Sequence, residues 1–207
     1  RFTFDPIGNL SATTDAVHPA VFFANRRVAA DAAFTHDALY RLIEATGREH
    51  LALARTPAVP GPKDGRALRL GDANAMGRYV ERYSYDRVGN LLEIFHRGLG
   101  PTQGAWRRTY SYDEPSRLEP EAPSNRLSRT RIGHNDWDTF AYDAHGNTAA
   151  MPHLSALDWN FQDQLCATAR EERRDGAKPR TTYYVYDAAG ERVRKVTERA
   201  AREGTAE

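Results

Sequence analysis

Tyr83-Ser84-Tyr85-Asp86-Arg87-Val88-Gly89-Asn90-Leu91 decides the fold of this chain. In an extended strand successive side chains alternate between faces, so aromatic–any–aromatic sets two rings on one side. Asp86 then opens a turn, because a short carboxylate accepts backbone N–H groups a few residues on. Gly89 supplies the left-handed backbone that closes a type I turn in a bulge. Leu91-Leu92-Glu93-Ile94 begins a return strand. The stretch is therefore a β-hairpin.

The pattern recurs along the chain, and self-similarity of this kind outranks every other signal for fold. Phe2-Thr3-Phe4-Asp5-Pro6-Ile7-Gly8-Asn9-Leu10 repeats it, as do Phe140-Ala141-Tyr142-Asp143-Ala144-His145-Gly146-Asn147 and Tyr184-Val185-Tyr186-Asp187-Ala188-Ala189-Gly190. Two weaker copies, Phe34-Thr35-His36-Asp37 and Tyr110-Ser111-Tyr112-Asp113, carry Tyr40 and Ser116 where Gly is expected. The motif aspartates stand at 5, 37, 86, 113, 143 and 187, so the period is irregular and insertions separate the copies. A lone hairpin is marginal in water, so neighbouring copies must pair into a continuous antiparallel sheet. The expectation is an all-β chain, residues 1–207 forming one repeat region with hairpins near 2–16, 34–50, 83–96, 110–130, 140–165 and 183–197. The repeat signature comprises Phe4, Asp5, Gly8, Asp37, Tyr83, Tyr85, Asp86, Gly89, Tyr110, Tyr112, Asp113, Tyr142, Asp143, Gly146, Tyr184, Tyr186, Asp187 and Gly190.

Between the copies, the Pro- and Gly-rich stretch 57–77 reads as an inserted loop. Ser124-Asn125-Arg126-Leu127 and Trp159-Asn160-Phe161-Gln162-Asp163-Gln164-Leu165 read as strand–turn–strand pieces without a full motif. Residues 171–178 form a charged connector, and 198–207 a tail that is short helix or frayed end. The N-terminus has neither an initiator Met nor a signal-peptide apolar core, and reads as a start inside a longer chain.

Composition agrees with a thin sheet. Leu, Ile, Val and Phe supply only 36 of 207 residues, with ten Tyr and three Trp making up part of the shortfall. Lys plus Arg (29) balances Asp plus Glu (28), for a formal charge of +1, which removes the field that pulls in nucleic acid or an anionic membrane. No stretch is long and apolar enough to span a bilayer as a helix. The single cysteine, Cys166, excludes an internal disulfide and a Cys-based zinc cage.

Chemistry has few footholds. His134-Asn135-Asp136 with His145 or His153 is the best metal candidate, yet it lacks ligand spacing and reads better as polar residues of a solvated face. The repeated aspartates are explained by turn capping rather than by calcium. Cys166 near His153 has no third residue to orient a nucleophile. For a catalytic Asp pair outside the turn positions, Asp136 with Asp138 is the only loose candidate. No cofactor and no metal is expected, and no enzymatic activity. Rows of rings interleaved with Arg, as at Trp106-Arg107-Arg108-Thr109-Tyr110, suit stacking on sugars, though cross-strand aromatic pairs normally serve the sheet itself.

These residues resemble the Rhs/YD-repeat family, which includes bacterial Rhs toxins, the C component of insecticidal toxin complexes and animal teneurins. The stretch Asp37 to His50 looks like a family segment, as do Met151-Pro152-His153-Leu154, Asp163-Gln164-Leu165 and Thr181 to Asp187. The likeness is greatest to the repeat region of a C component. It implies a spiralling sheet wound into a hollow shell that holds a toxic C-terminal domain, in an exported protein. It also implies a closing autoprotease segment and a variable toxin domain, neither of which is recognisable before Glu207. The expected partners are the remaining shell repeats and the toxin domain. The alternative is a carbohydrate- or cell-surface-binding module built on the aromatic rows. The open sheet edges are expected to invite self-association when the segment stands alone.

Overall fold

The computed structural model describes residues 1–52, 72–100, 103–152, 154–170 and 180–198, and every regular element in it is a β-strand. The strands fall into two compact units. The first comprises Arg1–Ser111 with Arg131–Asp136, the second Tyr112–Thr130 with Trp137–Glu207.

In the first unit β1 (Phe2–Phe4), β2 (Leu10–Thr13), β5 (Ala32–His36), β6 (Leu42–His50), β7 (Met76–Tyr85), β8 (Leu91–Gly98) and β9 (Ala105–Ser111) pair in that order, each antiparallel to the next. A small hairpin, β3 (Val21–Phe23) and β4 (Arg26–Val28), is inserted between β2 and β5. Its two turn residues, Ala24 (φ 47°) and Asn25 (φ 59°), both take the left-handed backbone that matches strand twist in a two-residue hairpin. The sequence reading missed this hairpin, because Ala-Asn carries none of the Gly that usually marks such a turn.

In the second unit, Arg129 and Thr130 of β10 (Arg129–Ile132) pair with β11 (Asp138–Thr139). Next come the hairpin of β12 (Ala141–Tyr142) with β13 (Thr148–Ala150) and a four-strand sheet of β14 (Leu154–Trp159), β15 (Leu165–Arg170), β16 (Thr181–Tyr186) and β17 (Arg192–Glu198).

One turn builds most of these hairpins. At Asp5, Asp37, Asp86, Asp143 and Asp187 the aspartate N–H donates to the carbonyl four residues on, at 2.8–3.0 Å, and its own carbonyl accepts the N–H three residues on. Gly8, Gly89, Gly146 and Gly190 hold φ between 83° and 98° at that third position. The ladder register shifts at the second motif position of each copy, between Thr3 and Phe4, Thr35 and His36, Ser84 and Tyr85, Ala141 and Tyr142, and Val185 and Tyr186. The turn inserts one residue, and the bulge takes it up. In the second copy Tyr40 carries φ 64° without being Gly, at 60% exposure. A bulky residue in that conformation is strained, so Tyr40→Gly is expected to stabilise the first unit by about 1 kcal/mol, read from the chemical-denaturation midpoint.

Three expectations are corrected. The copy near 110–130 forms no hairpin of its own. Asp113 needs an N–H two residues on to close the turn, and position 115 is Pro, which has none. Instead Ser128 Oγ accepts from the N–H groups of Asp113 and Glu114, at 2.8 and 3.0 Å, and Pro115 bridges Pro123 across a loop. Ser124-Asn125-Arg126-Leu127 lies in that loop and holds no strand. Conversely the stretch 140–165, expected as one hairpin, holds β12 paired with β13 and most of a second hairpin, β14 with β15, whose turn Trp159–Leu165 is a complete copy. Asn160 Oδ1 accepts from Gln162 N (2.9 Å) and Gln164 N (3.0 Å), and Asp163 takes the glycine position at φ 58°.

Residues 53–71, 171–179 and 199–207 lie outside the described residues, and with them most of the expected insertion, the charged connector and the tail. The insertion's described end turns at Asp72–Asn74 and enters β7 at Met76. The core is thin: among the described residues only Val28, Ala45, Ala167 and Ala169 are buried apolar side chains, beside buried His50, His96 and Thr130.

Candidate functional site

The geometry begins at the turn carboxylates. Asp86 Oδ1 accepts from Val88 N (3.0 Å) and Asn90 N (2.8 Å), while Oδ2 accepts from Asn90 Nδ2 (2.8 Å). Asp5 repeats this with Ile7 and Asn9, and Asp143 with His145, Gly146 and Asn147. In the second copy Arg41 replaces Asn, its N–H and Nε donating to Asp37 at 2.9 and 2.7 Å. At the last copy Ala189 N and Glu191 N serve Asp187. Partial desolvation pushes Asp5, Asp86 and Asp143 up, and the donated hydrogen bonds outweigh it, leaving them below the usual carboxylate range. Asp37 is lowered too, first by the Arg41 backbone bond. Each carboxylate has its hydrogen bonds inside its own turn, an arrangement suited to shaping a hairpin.

The second aromatic of a copy ties it to the copy before. Tyr85 Oη donates to Leu42 O (2.8 Å), Trp159 Nε1 to Thr148 O (2.9 Å) and Tyr186 Oη to Leu165 O (3.0 Å). Leu42, Thr148 and Leu165 each open the return strand of the preceding hairpin. Tyr142 Oη makes the same bond to Leu127 O (3.0 Å), beside the loop that replaces a hairpin. A single tie of this kind is worth about 1 kcal/mol. Tyr85→Phe is therefore expected to lower stability by about that amount with the sheet intact, measured by denaturant titration.

Cations cover the rings of the rows. Arg41 lies 4.9 Å from the Tyr85 centroid, Arg107 5.5 Å from Phe95, Arg108 5.7 Å from Tyr110, Arg126 5.6 Å from Tyr142 and Arg129 4.6 Å from Trp137. Tyr184 has both Arg192 and Lys195 within 6 Å. A sugar would have to displace these side chains to stack on the rings they cover. The remaining signature residues divide. Tyr83 Oη donates to Glu81 (2.6 Å), Tyr112 lies just past β9, and Phe4 is exposed on the first strand, at 59%. Asp113 forms an exposed ion pair with Arg129 (3.0 Å).

The chemical candidates stay apart. Among the described residues no three His, Cys, Asp or Glu side chains form a metal-holding group. His145 pairs with Asp163 (2.9 Å), which Asn147 also contacts. His153 lies outside the described residues, and the Cys166 thiol donates weakly to Gln164 O (3.6 Å). A cavity of about 510 Å³ beside the β3–β4 hairpin is lined by Phe23, Val28, Met76 and Leu99, with Arg26 bonded to Leu99 O (2.9 Å); among the described residues its lining offers no acid, His or hydroxyl.

The cluster that sequence reading missed surrounds His96. This side chain is 3% exposed, stacked on Trp106 (centroids 4.9 Å apart, planes 4°) and on Tyr79 (5.1 Å, 28°). Its ring nitrogens meet Glu81 (3.0 Å) and Glu49 (3.1 Å). The signal was present only through register: Glu81 and Trp106 are the direct cross-strand partners of His96.

Capped aromatic hairpins, several of them tied through Tyr85, Trp159 and Tyr186 to the one before, define a YD-type β-hairpin repeat protein. No family model matches the chain. It is 30% identical over 198 residues to toxin subunit YenC1 of Yersinia entomophaga and 26% identical over 207 residues to toxin subunit YenC2 of the same organism. Each match takes in 95% of this chain and 19% of the relative, so the chain spans about a fifth of their length. The crystal structure of TcdB2-TccC3-Cdc42 matches 98% of the chain at 26% identity with a TM-score of 0.65. TcdB2-TccC3 without its hypervariable C-terminal region matches at 25% identity and 0.64. Both matches take in 9% of the solved chain. The chain is a homologue of the YenC toxin subunits, with an Rhs/YD-repeat fold of the insecticidal toxin complex type.

Proposed function

We propose that this chain is a wall segment of a β-shell that encloses a C-terminal toxin domain of its parent protein, without catalysis of its own. The observation that supports this reading is the tie repeated at Tyr85, Trp159 and Tyr186 to the backbone of the hairpin before, with Tyr142 making the same bond to Leu127. Such a tie serves a continuous surface, since it has no use in a module that presents separate binding loops. Residues 1–207 then act as one repeat region, its signature residues being the fastenings. The edge strands β1 and β17 are where neighbouring repeats of the parent pair, and the parent is exported with its complex.

Protease protection in the parent tests this. With the wall intact, the domain behind the repeats should resist a protease that digests it readily once excised. Removing the ties together, by Tyr85→Phe, Tyr142→Phe and Tyr186→Phe, should expose it at least tenfold faster. Equal cleavage of enclosed and excised domain overturns the proposal.

A further inference from the structure

The His96 cluster joins four consecutive strands. Glu49 comes from β6, Tyr79 and Glu81 from β7, His96 from β8 and Trp106 from β9. Gly47, directly opposite Tyr79, makes the stack possible: a Cβ there would stand 2.8 Å from Tyr79 Oη and 3.0 Å from its ring. Both carboxylates are already engaged elsewhere, Glu49 by Gln103 Nε2 (3.2 Å) and Glu81 by Tyr83 Oη (2.6 Å).

Only the imidazolium can satisfy this site. A carboxylate accepts and does not donate, so each ring nitrogen must carry a proton to meet its Glu. A neutral ring has one N–H and one lone pair, and would turn that lone pair toward a half-buried carboxylate. The flat rings above and below favour the cation as well.

We propose that Tyr79, His96 and Trp106, with Glu49 and Glu81, form a proton-operated latch that holds β6–β9 together and releases them in alkaline solution. The groups facing His96 decide the direction. Burial alone would lower the imidazole; the hydrogen bonds to Glu49 and Glu81 outweigh it and raise it to about 9. Glu81 is held low, first by the His96 bond, and so stays charged. Tyr79 and Tyr83 are pushed up, first by burial and then by the nearby carboxylates, so neither ionises in the window where His96 does. Arg78, the remaining charge near Tyr79, opposes that rise and reaches the carbonyl of Ala29.

A group raised on folding stabilises fully below its unfolded value and loses that contribution as pH climbs through the folded value. For His96 the loss runs from about 6.5 to about 9. The turn aspartates are shifted the opposite way, so they fail only in acid and keep the hairpins closed while the latch opens. Alkaline release is thus local to the middle of the first unit. It does not depend on the shell reading.

Hydrogen–deuterium exchange of the full chain between pH 6.5 and 9.5, corrected for the intrinsic base-catalysed rate, tests the latch. Protection of β6–β9 peptides should fall about a hundredfold, while β16–β17 peptides hold. A variant combining Glu49→Gln, Glu81→Gln and His96→Phe keeps the stack without the charges and should show no such fall. Unchanged protection of the wild-type β6–β9 peptides overturns the proposal, as does the same fall in the variant. NMR titration of the His96 ring gives a direct check, with a midpoint above 8 expected and one at or below 7 fatal to it.

Discussion

Trp106→Ala is expected to destabilise the first unit by about 3 kcal/mol, the largest effect of any single truncation in it. Removing a half-buried indole forfeits its transfer free energy and leaves a void that a thin sheet cannot refill. The loss is compounded at His96, whose ring lies parallel to the indole at 4.9 Å. With that face opened to water, the ion pairs to Glu49 and Glu81 lose the dry surroundings that strengthen them. Trp106→Phe restores a flat ring and should recover more than half of the loss. Denaturant unfolding followed by circular dichroism gives the magnitude, and exchange protection of β8 localises it. Equal costs for the alanine and phenylalanine variants would mean that the stack contributes nothing beyond volume.

The turns were the legible part of this fold, because their chemistry is local. An aspartate, the N–H groups two and four residues on and a left-handed third residue all lie within five positions. What the motif did not disclose was the work of the fourth residue. Asn9, Asn90 and Asn147 each donate through Nδ2 to the second carboxylate oxygen, which turns a backbone cap into a closed ring of bonds. Arg41 does the same through Nε, which lets the second copy keep its turn although Tyr40 sits at the strained position. Asp113 has the motif's letters and fails, since Pro115 withholds one N–H. A reading by donors would have rejected 110–130 as a hairpin, where a reading by residue type accepted it.

The His96 cluster shows the opposite limit. Positions 49, 79, 81, 96 and 106 share no local pattern, and only the pairing of Glu81 with His96 and of His96 with Trp106 brings them into one row. Register is fixed by bulges and turns that lie between these residues, such as the Asp86–Asn90 turn, so no window around His96 could disclose its neighbours. A buried histidine between two acids is visible only when the sheet is assembled.

Trp159 carries the second large expectation. It stands where other copies have Tyr, in a hairpin whose cap is Asn160 instead of Asp and whose left-handed residue is Asp163 instead of Gly. Asn Oδ1 accepts the same two N–H groups that a carboxylate does, and a short polar side chain tolerates the left-handed backbone better than a bulky one. The indole Nε1–H reaches Thr148 O at 2.9 Å, making the same tie as Tyr85 and Tyr186. If this hairpin is a full member of the repeat, Trp159→Ala should lower the stability of the second unit by about 3 kcal/mol and raise exchange in β12–β15 together. Asp163→Gly should meanwhile stabilise it by a few tenths of a kcal/mol, the small gain set by the looser unfolded chain. A spacer would respond differently: Trp159→Ala would cost under 1 kcal/mol and leave β12–β13 protected. The distinction matters for the whole chain, because a copy written in other letters shows that donor and acceptor positions, more than residue identity, are what this repeat preserves from one hairpin to the next.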